Sequence, residues 1–353
     1  MATVVDLLWS CVGISFYIYG IWIYLLDILC CSVPTAGFIA LFVFILVHIG
    51  RIPPPDPAVV EEVLGLDPLL MERDDKKKDS KDGAYIMKSI GHRGVALDAP
   101  ENSISAFRLA KTSGVTAVEF DVVLTKDQVP IVFHDDTVDR ITNMTGRIKD
   151  MTWEDLKQLD ISEKHPMKIP LLDDVVKECL ELGLRMFMDL KGDDLGMAAV
   201  IHDLYKKHKE LYNRAVVSTF NPVLLYLIRR GNSNIVGSLA WRPYIYTSCN
   251  FSGAEGPIQM RYKSLPKSLL AQGVDIMNQW AYNNLYYHIL GVSVVVIHKD
   301  VITSDMIRVW KDRGIRVIPW TINLPLEKQY FSRILKVSYF TDTIIGETEM
   351  KFS

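Results

Sequence analysis

The 353-residue sequence predicts a TIM barrel, a closed parallel α/β barrel of eight strand and helix units, placed behind an apolar N-terminal segment. From residue 86 onward, short β-rich runs alternate with stretches of helical periodicity. Beyond the apolar segment roughly 265 residues remain, which suits one barrel-sized domain. Polar residues end several of the predicted strands, where barrel enzymes keep their active sites.

The N-terminus predicts a membrane anchor over residues 1–50. Residues 7–26 carry no charge and are long enough to cross the hydrocarbon core as a helix. A second apolar run, residues 35–49, follows a break at residues 30–34 and is marginal in length, so it predicts either a second span or an interfacial segment. A cleaved signal peptide is disfavoured because a basic leading region is missing.

Residues 51–84 predict a linker between the anchor and a catalytic domain over residues 85–353. The segment contains three consecutive prolines and a charge cluster over residues 72–79. Topology signals disagree. Arg51 and the lysines at 76–78 favour a cytosolic domain, whereas glycosylation sequons at Asn143 and Asn250 matter only in the lumen.

Composition excludes two classes of partner or site. The net charge of −3 provides no basic field, so we expect no nucleic-acid partner. Three of the five cysteines lie in the apolar segment, and Cys179 and Cys249 have no paired spacing. Neither a disulfide framework nor a zinc site is indicated.

The barrel prediction assigns eight strands and at least five helices. The strands cover residues 86–90, 117–123, 186–190, 215–219, 235–239, 293–297, 315–319 and 337–341. The helices cover residues 103–111, 172–182, 197–208, 222–230 and 304–313. The apolar stretch at 269–297 resembles a transmembrane segment, but its polar residues and the need for a sixth strand favour an aromatic surface helix, with interfacial contact as an alternative.

One extra β-rich run, residues 129–134, follows the second strand after a very short connection. Such a connection cannot make a parallel crossover, so we predict an antiparallel hairpin. The hairpin places His134 roughly opposite Phe120 and Asp121, at the carboxyl end of the strand.

Three carboxylates predict a metal site. Glu119 and Asp121 are two residues apart on a strand, so their side chains point the same way and would repel unless neutralised. A hard divalent cation, Mg²⁺ or Ca²⁺, with Asp189 as third ligand explains the arrangement. The alternative is that cationic side chains such as Arg93 and Lys191 pair with these carboxylates.

Two histidines end predicted strands and supply proton-transfer chemistry. His92 follows the first strand and His134 the hairpin, so both are expected to face one pocket. Phosphodiester cleavage needs one group that accepts a proton and one that donates it, and imidazole does both near neutral pH. We expect Arg93 and Lys191 to bind the phosphate oxygens.

Eight motifs in order resemble those of the glycerophosphodiester phosphodiesterases over residues 86–345. They are Gly91-His92-Arg93-Gly94, Pro100-Glu101-Asn102-Ser103, Glu119-Phe120-Asp121, His134-Asp135, Asp189-Leu190-Lys191, Ser218-Thr219-Phe220, Trp320-Thr321-Ile322-Asn323 and Thr341-Asp342. The anchor, Trp241-Arg242-Pro243 and the apolar stretch after Lys267 are similar to animal membrane-anchored members.

The resemblance implies a barrel of the glycerophosphodiester phosphodiesterase and phosphatidylinositol phospholipase C type. It implies His92 and His134 as acid and base. It also implies a metal site whose third ligand, often Glu in the family, is here Asp189. The shorter side chain favours Mg²⁺ over Ca²⁺. Four further residues are expected to support or line the pocket: Glu101, Asn102, Trp320 and Asn323.

The implied reaction releases glycerol 3-phosphate and an alcohol from glycerophosphoinositol or glycerophospho-N-acylethanolamines, in lipid metabolism. Alternatives are a lysophospholipase D, which would need an apolar channel for the acyl chain, and a phospholipid-binding barrel without turnover. The resemblance and the sequons favour an integral membrane protein of the plasma membrane or endomembranes with a lumenal or extracellular catalytic domain. Asn250 is expected to be the glycan acceptor, because Asn143 follows the His134 hairpin.

Overall fold

The computed structural model describes residues 2–69, 85–161, 167–251 and 257–346, which form two units, Met1–Arg51 and Ile52–Ser353. The first unit is one helix, α1, Ala2–Gly50. Among the described residues it is the single helix long and apolar enough to cross a membrane. At about 1.5 Å per residue it extends more than twice the roughly 30 Å hydrocarbon thickness. The break expected at residues 30–34 is not present, since the backbone stays helical through Pro34.

The second unit is a barrel of parallel strands surrounded by helices. Its strands are β1 Ser89–Gly91, β2 Ala117–Leu124, β3 Pro130–Val132, β4 Arg185–Leu190, β5 Ala215–Thr219, β6 Val236–Trp241, β7 Val294–His298, β8 Arg316–Trp320 and β9 Tyr339–Thr341. Its helices are α2 Pro57–Leu64, α3 Ile104–Thr112, α4 Trp153–Leu156, α5 Leu172–Glu181, α6 Met197–Lys207, α7 Pro222–Gly231, α8 Leu265–Ala281, α9 Tyr287–Leu290, α10 Ser304–Asp312 and α11 Pro325–Gln329.

Sheet order confirms the predicted barrel. Eight parallel strands follow the order β8-β7-β6-β5-β4-β2-β1-β9, and β3 pairs only with β2. The two end strands nearly close the ring, where the Ile322 amide donates to the Phe340 carbonyl. Every residue of β2 is buried, as expected for a strand covered on both faces. All eight predicted strands are present, with small shifts at their ends.

The predicted hairpin is also confirmed. Strand β3 is antiparallel to β2, with Val132 opposite Val122, and the Phe133 amide donates to the Asp121 carbonyl at 3.0 Å. Continuing this register places His134 level with Phe120. The hairpin therefore returns the chain to the carboxyl end of β2.

The first half of the expected linker is instead part of the barrel unit. Val63 and Leu64 of helix α2 are fully buried among residues of the barrel interior, including Ile90 and Phe187. Arg316 donates to the carbonyls of Leu64 and Gly65, and Arg185 donates to that of Glu62. Since β4 begins at Arg185 and β8 at Arg316, α2 covers the amino ends of the strands. The charge cluster at residues 72–79 lies outside the described residues.

The apolar stretch at 269–297 does not form a membrane span. It contains most of α8, a π-helical turn over Tyr282–Tyr286, α9 and most of β7. Strand β7 pairs with both β6 and β8, so the stretch supplies one wall of the barrel. The surface-helix prediction is confirmed.

Candidate active site

A cavity of about 460 Å³ opens at the carboxyl ends of the strands. Its lining includes seven of the predicted site residues: His92, Arg93, Glu119, His134, Asp189, Lys191 and Trp320. Pockets of this size and polarity bind small molecules. The structure therefore brings together residues that are up to 228 positions apart in the sequence.

The three predicted metal ligands converge at the cavity, and two of them, Glu119 and Asp189, line it. Asp121 lies directly across from Asp189 in the parallel pairing of β2 with β4, and Glu119 is two residues earlier on the same face. One oxygen from each carboxylate lies within 4.8 Å of the others, and all three residues are buried. Three buried acids this close repel one another strongly.

The pKa values of the three carboxylates are shifted in different directions. Burial, followed by the charge of Asp121, raises the pKa of Glu119 to about 8. Burial alone would also raise the pKa of Asp121, but Lys191 and the other cations outweigh it and lower that pKa. Burial also raises the pKa of Asp189, so a bound cation would favour the ionised form of both Glu119 and Asp189.

Lys191 and Arg93 are the nearest cations. Lys191 Nζ lies 2.9 Å from Oδ1 of Asp121 and also bonds Asp189. Arg93 Nε lies 3.4 Å from Oδ2 of Asp121, and its Nη1 donates to Glu101. These contacts match the ion-pair alternative, yet two cations face three acids.

A tight turn after β1 positions Arg93 beside the carboxylates. Arg93 and Gly94 adopt positive φ angles of 51° and 93°. A β-carbon at Gly91 would lie 2.1 Å from the Gly94 carbonyl oxygen, so this position requires glycine. The turn aims the Arg93 amide at Oε2 of Glu119, at 2.9 Å. The glycines of the motif thus act by positioning the backbone.

Asn102 holds Asp121 in place by two hydrogen bonds. Its Nδ2 donates to Oδ2 of Asp121 at 2.8 Å, and its Oδ1 accepts from the Asp121 amide at 3.2 Å. The side chain is 2% exposed. Asn102 therefore fixes one carboxylate orientation without facing the cavity.

His92 lies at the inner edge of the cavity. Its Nδ1 is 2.5 Å from Oδ1 of Asp342, and its Nε2 is 3.8 Å from Glu119. Asn323 holds Asp342 by two hydrogen bonds of 2.8 Å. Burial lowers the pKa of His92, but the Glu119 charge and the Asp342 hydrogen bond together outweigh it and raise that pKa. Asn323 therefore supports the site through Asp342.

His134 lies at the outer edge. Its Nδ1 is 2.6 Å from Oδ1 of Asp135. Arg140 donates to both oxygens of Asp135 and to both oxygens of Glu101. Because Glu101 also accepts from Arg93, one chain of ion pairs joins the two edges of the cavity.

Several residues that the structure brings to the site had no role predictable from the sequence. Asp135 and Asp342 stood within recognised motifs, but only their contacts with the histidines reveal what they do. Arg140 gave no signal, since an arginine in a polar loop is usually solvated. Arg242 and Arg261 form a second basic part of the cavity wall, beyond the expected phosphate-binding pair.

The chemistry of the donor set fits a divalent cation. Among the described residues, Oδ1 of Asp189 accepts no hydrogen bond, and Oδ1 of Asp121 has only the Lys191 ammonium beside it, at 2.9 Å. Hard divalent cations prefer carboxylate oxygens. A parallel barrel that gathers such a set beside two histidines has the chemistry of a phosphodiester hydrolase.

Comparison with known proteins identifies the family. Residues 92–345 match the sequence profile described as the glycerophosphoryl diester phosphodiesterase family. The bovine and human proteins named glycerophosphodiester phosphodiesterase 1 are each 34% identical over 273 residues, which is 75% of this chain and 81% of each relative. The chain belongs to the glycerophosphoryl diester phosphodiesterase family and is an enzyme with that activity.

Solved structures support the fold. An Oleispira antarctica phosphodiesterase in complex with the product sn-glycerol-3-phosphate matches with a TM-score of 0.58 at 21% identity, covering 74% of this chain and 95% of that one. A glycerophosphodiester phosphodiesterase from Agrobacterium tumefaciens matches with a TM-score of 0.55 at 19% identity, covering 75% and 100%.

Proposed function

We propose that the cavity hydrolyses glycerophosphodiesters, such as glycerophosphoinositol and glycerophospho-N-acylethanolamines, to glycerol 3-phosphate and an alcohol. The observation that carries this proposal is that His92 and His134 line one cavity beside three buried carboxylates. Each histidine is hydrogen-bonded at Nδ1 to an aspartate. The product bound by the Oleispira relative supports the glycerol 3-phosphate half of the reaction.

Glu119, Asp121 and Asp189 would hold the divalent cation, and we favour Mg²⁺ because the short Asp189 side chain suits a compact octahedral ion. When bound, the ion supplies Lewis-acid stabilisation of charge on the phosphate. Asn102 keeps Asp121 oriented as a ligand through its two hydrogen bonds.

Arg93 and Lys191 would bind the phosphate oxygens. Both line the cavity, and both are surrounded by acids that keep them charged. Burial lowers the pKa of Lys191, but the charges of Asp121 and Asp189 outweigh it and raise that pKa. Charge that develops on the phosphate therefore meets fixed cations.

The histidines would move the two protons. With Nδ1 of each ring held by an aspartate, Nε2 is the nitrogen left for substrate. One ring accepts the proton of the attacking hydroxyl or water, and the other gives a proton to the leaving oxygen.

Asp121→Asn tests the metal site. We expect it to weaken metal binding and lower kcat by at least about the ten- to hundredfold that supporting partners of metal ligands are worth. Metal affinity is measured by calorimetry and stability by circular dichroism. Asp203→Asn, at an exposed acid on α6, is the matched control and should change neither. Turnover that resists both EDTA and Asp121→Asn would disprove the metal role.

Product analysis separates this reaction from the alternatives. One wall of the cavity is apolar, with Phe220, Ile245 and Val296, and this favours lysophospholipase D activity as a second candidate. Mass spectrometry of products from glycerophosphoinositol, glycerophosphocholine and a lysophospholipid would rank the substrates. A protein that binds all three without turnover would be a binding barrel.

We propose further that α1 anchors the enzyme in a membrane with its catalytic domain in the lumen or outside the cell. The sequence favoured Asn250 as the glycan acceptor, but we propose the exposed Asn143 instead, because the Asn250 side chain is half-buried and bonds residues 257 and 259. Endoglycosidase should shift the mobility of the expressed protein, and Asn143→Gln should remove more of that shift than Asn250→Gln. Digestion of the barrel by protease on the cytosolic face of sealed microsomes would reverse the topology.

A further inference from the structure

Helix α8 presents an apolar face to solvent. Seven of its large hydrophobic side chains are between 38% and 72% exposed: Leu265, Leu269, Leu270, Val274, Ile276, Met277 and Trp280. At 100° per residue they fall within about one half of the helix circumference. We call them the α8 face. A contiguous exposed apolar surface on a protein usually marks an interaction site.

The opposite side of the same helix is small and polar, although it is the buried side. Ser268, Ala271 and Asp275 face the barrel. Asp275 accepts hydrogen bonds from the amides of Tyr246 and Thr247 and from the Thr247 hydroxyl. The helix is therefore held to the barrel by polar contacts, so its orientation is fixed with the apolar side outward.

The charges around the α8 face suit phosphate headgroups. Between residues 257 and 281 the exposed charged side chains are Arg261, Lys263 and Lys267, all cationic. The single acid of this segment is the buried Asp275. An apolar helix face with basic residues beside it and a tryptophan on it is the pattern of a helix lying in the membrane interface.

Two further contacts connect the two ends of this helical stretch to the segment that follows α1 and to the active-site cavity. The amide of Ile52, two residues after the end of α1, donates to the Ile289 carbonyl in α9, which continues the helical stretch from α8. Arg261, just before α8, lines the active-site cavity, as does Ile245, whose carbonyl accepts from it. The helical stretch from α8 to α9 thus runs from the rim of the cavity to the point where Ile52 meets the barrel.

We propose that the α8 face inserts into the surface of a lipid bilayer and holds the cavity rim at the headgroup layer. The inference rests on the proposed membrane anchoring by α1 but is independent of the reaction catalysed. It implies that an amphiphilic phosphodiester can enter the cavity from the bilayer without crossing bulk water.

Quenching of Trp280 tests the contact directly. The full chain is reconstituted into phosphatidylcholine nanodiscs with and without bromine on the acyl chains, which quench tryptophan at short range. Trp280→Phe should remove part of the bromine-dependent quenching. Trp22 in α1 should remain quenched as an internal reference for membrane insertion. Equal quenching in the wild type and Trp280→Phe, with Trp22 quenched, would overturn the proposal.

The double substitution Leu270→Asp and Met277→Asp tests the consequence. We expect about tenfold lower kcat/KM for a glycerophospho-N-acylethanolamine carried in the nanodisc, and less than about twofold change for soluble glycerophosphoinositol. Val309→Asp, at a 44% exposed position on α10, is the control. Equal loss on both substrates, or a change in oligomeric state with no effect of lipid, would overturn the proposal. Inactivity of the wild type on both substrates would instead count against the proposed function.

Discussion

The two histidines make the same hydrogen bond to an aspartate, but the surroundings of the two pairs differ in burial and in charge. Each Nδ1 is bound by an aspartate, at 2.5 Å for His92 and 2.6 Å for His134. His92 is 15% exposed and its aspartate is held by a neutral amide, Asn323. His134 is 32% exposed and its aspartate is held by Arg140 in a partly solvated ion-pair chain. The His92–Asp342 pair is thus part of the barrel wall, whereas the His134–Asp135 pair depends on surface charges.

Loss of either imidazole should have the largest effect. We expect His92→Ala and His134→Ala each to lower kcat by about 10²- to 10⁴-fold, and the double variant to be far from additive, because the two rings serve one reaction. Single-turnover kinetics on glycerophosphoinositol would measure this. If neither single variant loses more than a few-fold, the acid and base assignment is wrong.

A substrate with a nitrophenolate leaving group assigns the two roles. This group needs no proton to leave, so it should restore most of the activity of whichever variant lacks the acid. The variant that lacks the base should stay slow. Equal rescue of both variants would mean that neither histidine acts alone on the leaving oxygen.

Replacing each aspartate should show how much each histidine depends on its partner. Asp342→Asn should lower kcat by about 10²-fold, less than the roughly 10⁴-fold loss typical of a fully buried aspartate that fixes a histidine tautomer, because Asp342 is only partly buried, and Asp135→Asn should lower it by less still. The physical reason is burial, since Asp342 is less exposed than Asp135 and solvent can partly replace the latter. pH profiles of kcat should shift in both variants, which a purely structural defect would not cause. A larger loss for Asp135→Asn would reverse the comparison.

The smallest effect should come from Arg140. This side chain is 47% exposed, and exposed ion pairs are worth about 0.2–1 kcal/mol, so Arg140→Met should cost about two- to fivefold in kcat. The difference from the wild type should shrink with added salt. Arg108→Met is the control, because Arg108 makes a similar two-point pair with Glu178. A loss beyond tenfold would show that the ion-pair chain is not screened by solvent.

Local pattern was sufficient to predict the barrel. The strands are short and β-rich, and the three-residue connection before residue 129 allowed only a hairpin, so the position of His134 followed from geometry. The carboxylates were predictable for the same reason, because a spacing of two on a strand puts side chains on one face.

What the sequence could not predict depends on long-range contacts or on packing. Asp342 reaches His92 across 250 positions, and Arg140 joins Glu101 from a loop. Proline at position 34 suggested a break, but a proline within an apolar helix does not necessarily end it. The sequence predicted an aromatic surface helix at residues 269–297, whereas only the structure shows which apolar residues of α8 are exposed.

Helix α2 decides where the chain can be shortened. A variant that begins at residue 85 follows the sequence-based domain boundary, but it would lose Val63 and Leu64 from the barrel floor, each worth about 1.5–3 kcal/mol of buried surface. It would also leave the side chains of Arg185 and Arg316 without the carbonyl acceptors that α2 and Gly65 provide. Water would then reach the barrel interior from the side opposite the substrate. Preparations of this enzyme without α1 should therefore begin at or before Ile52.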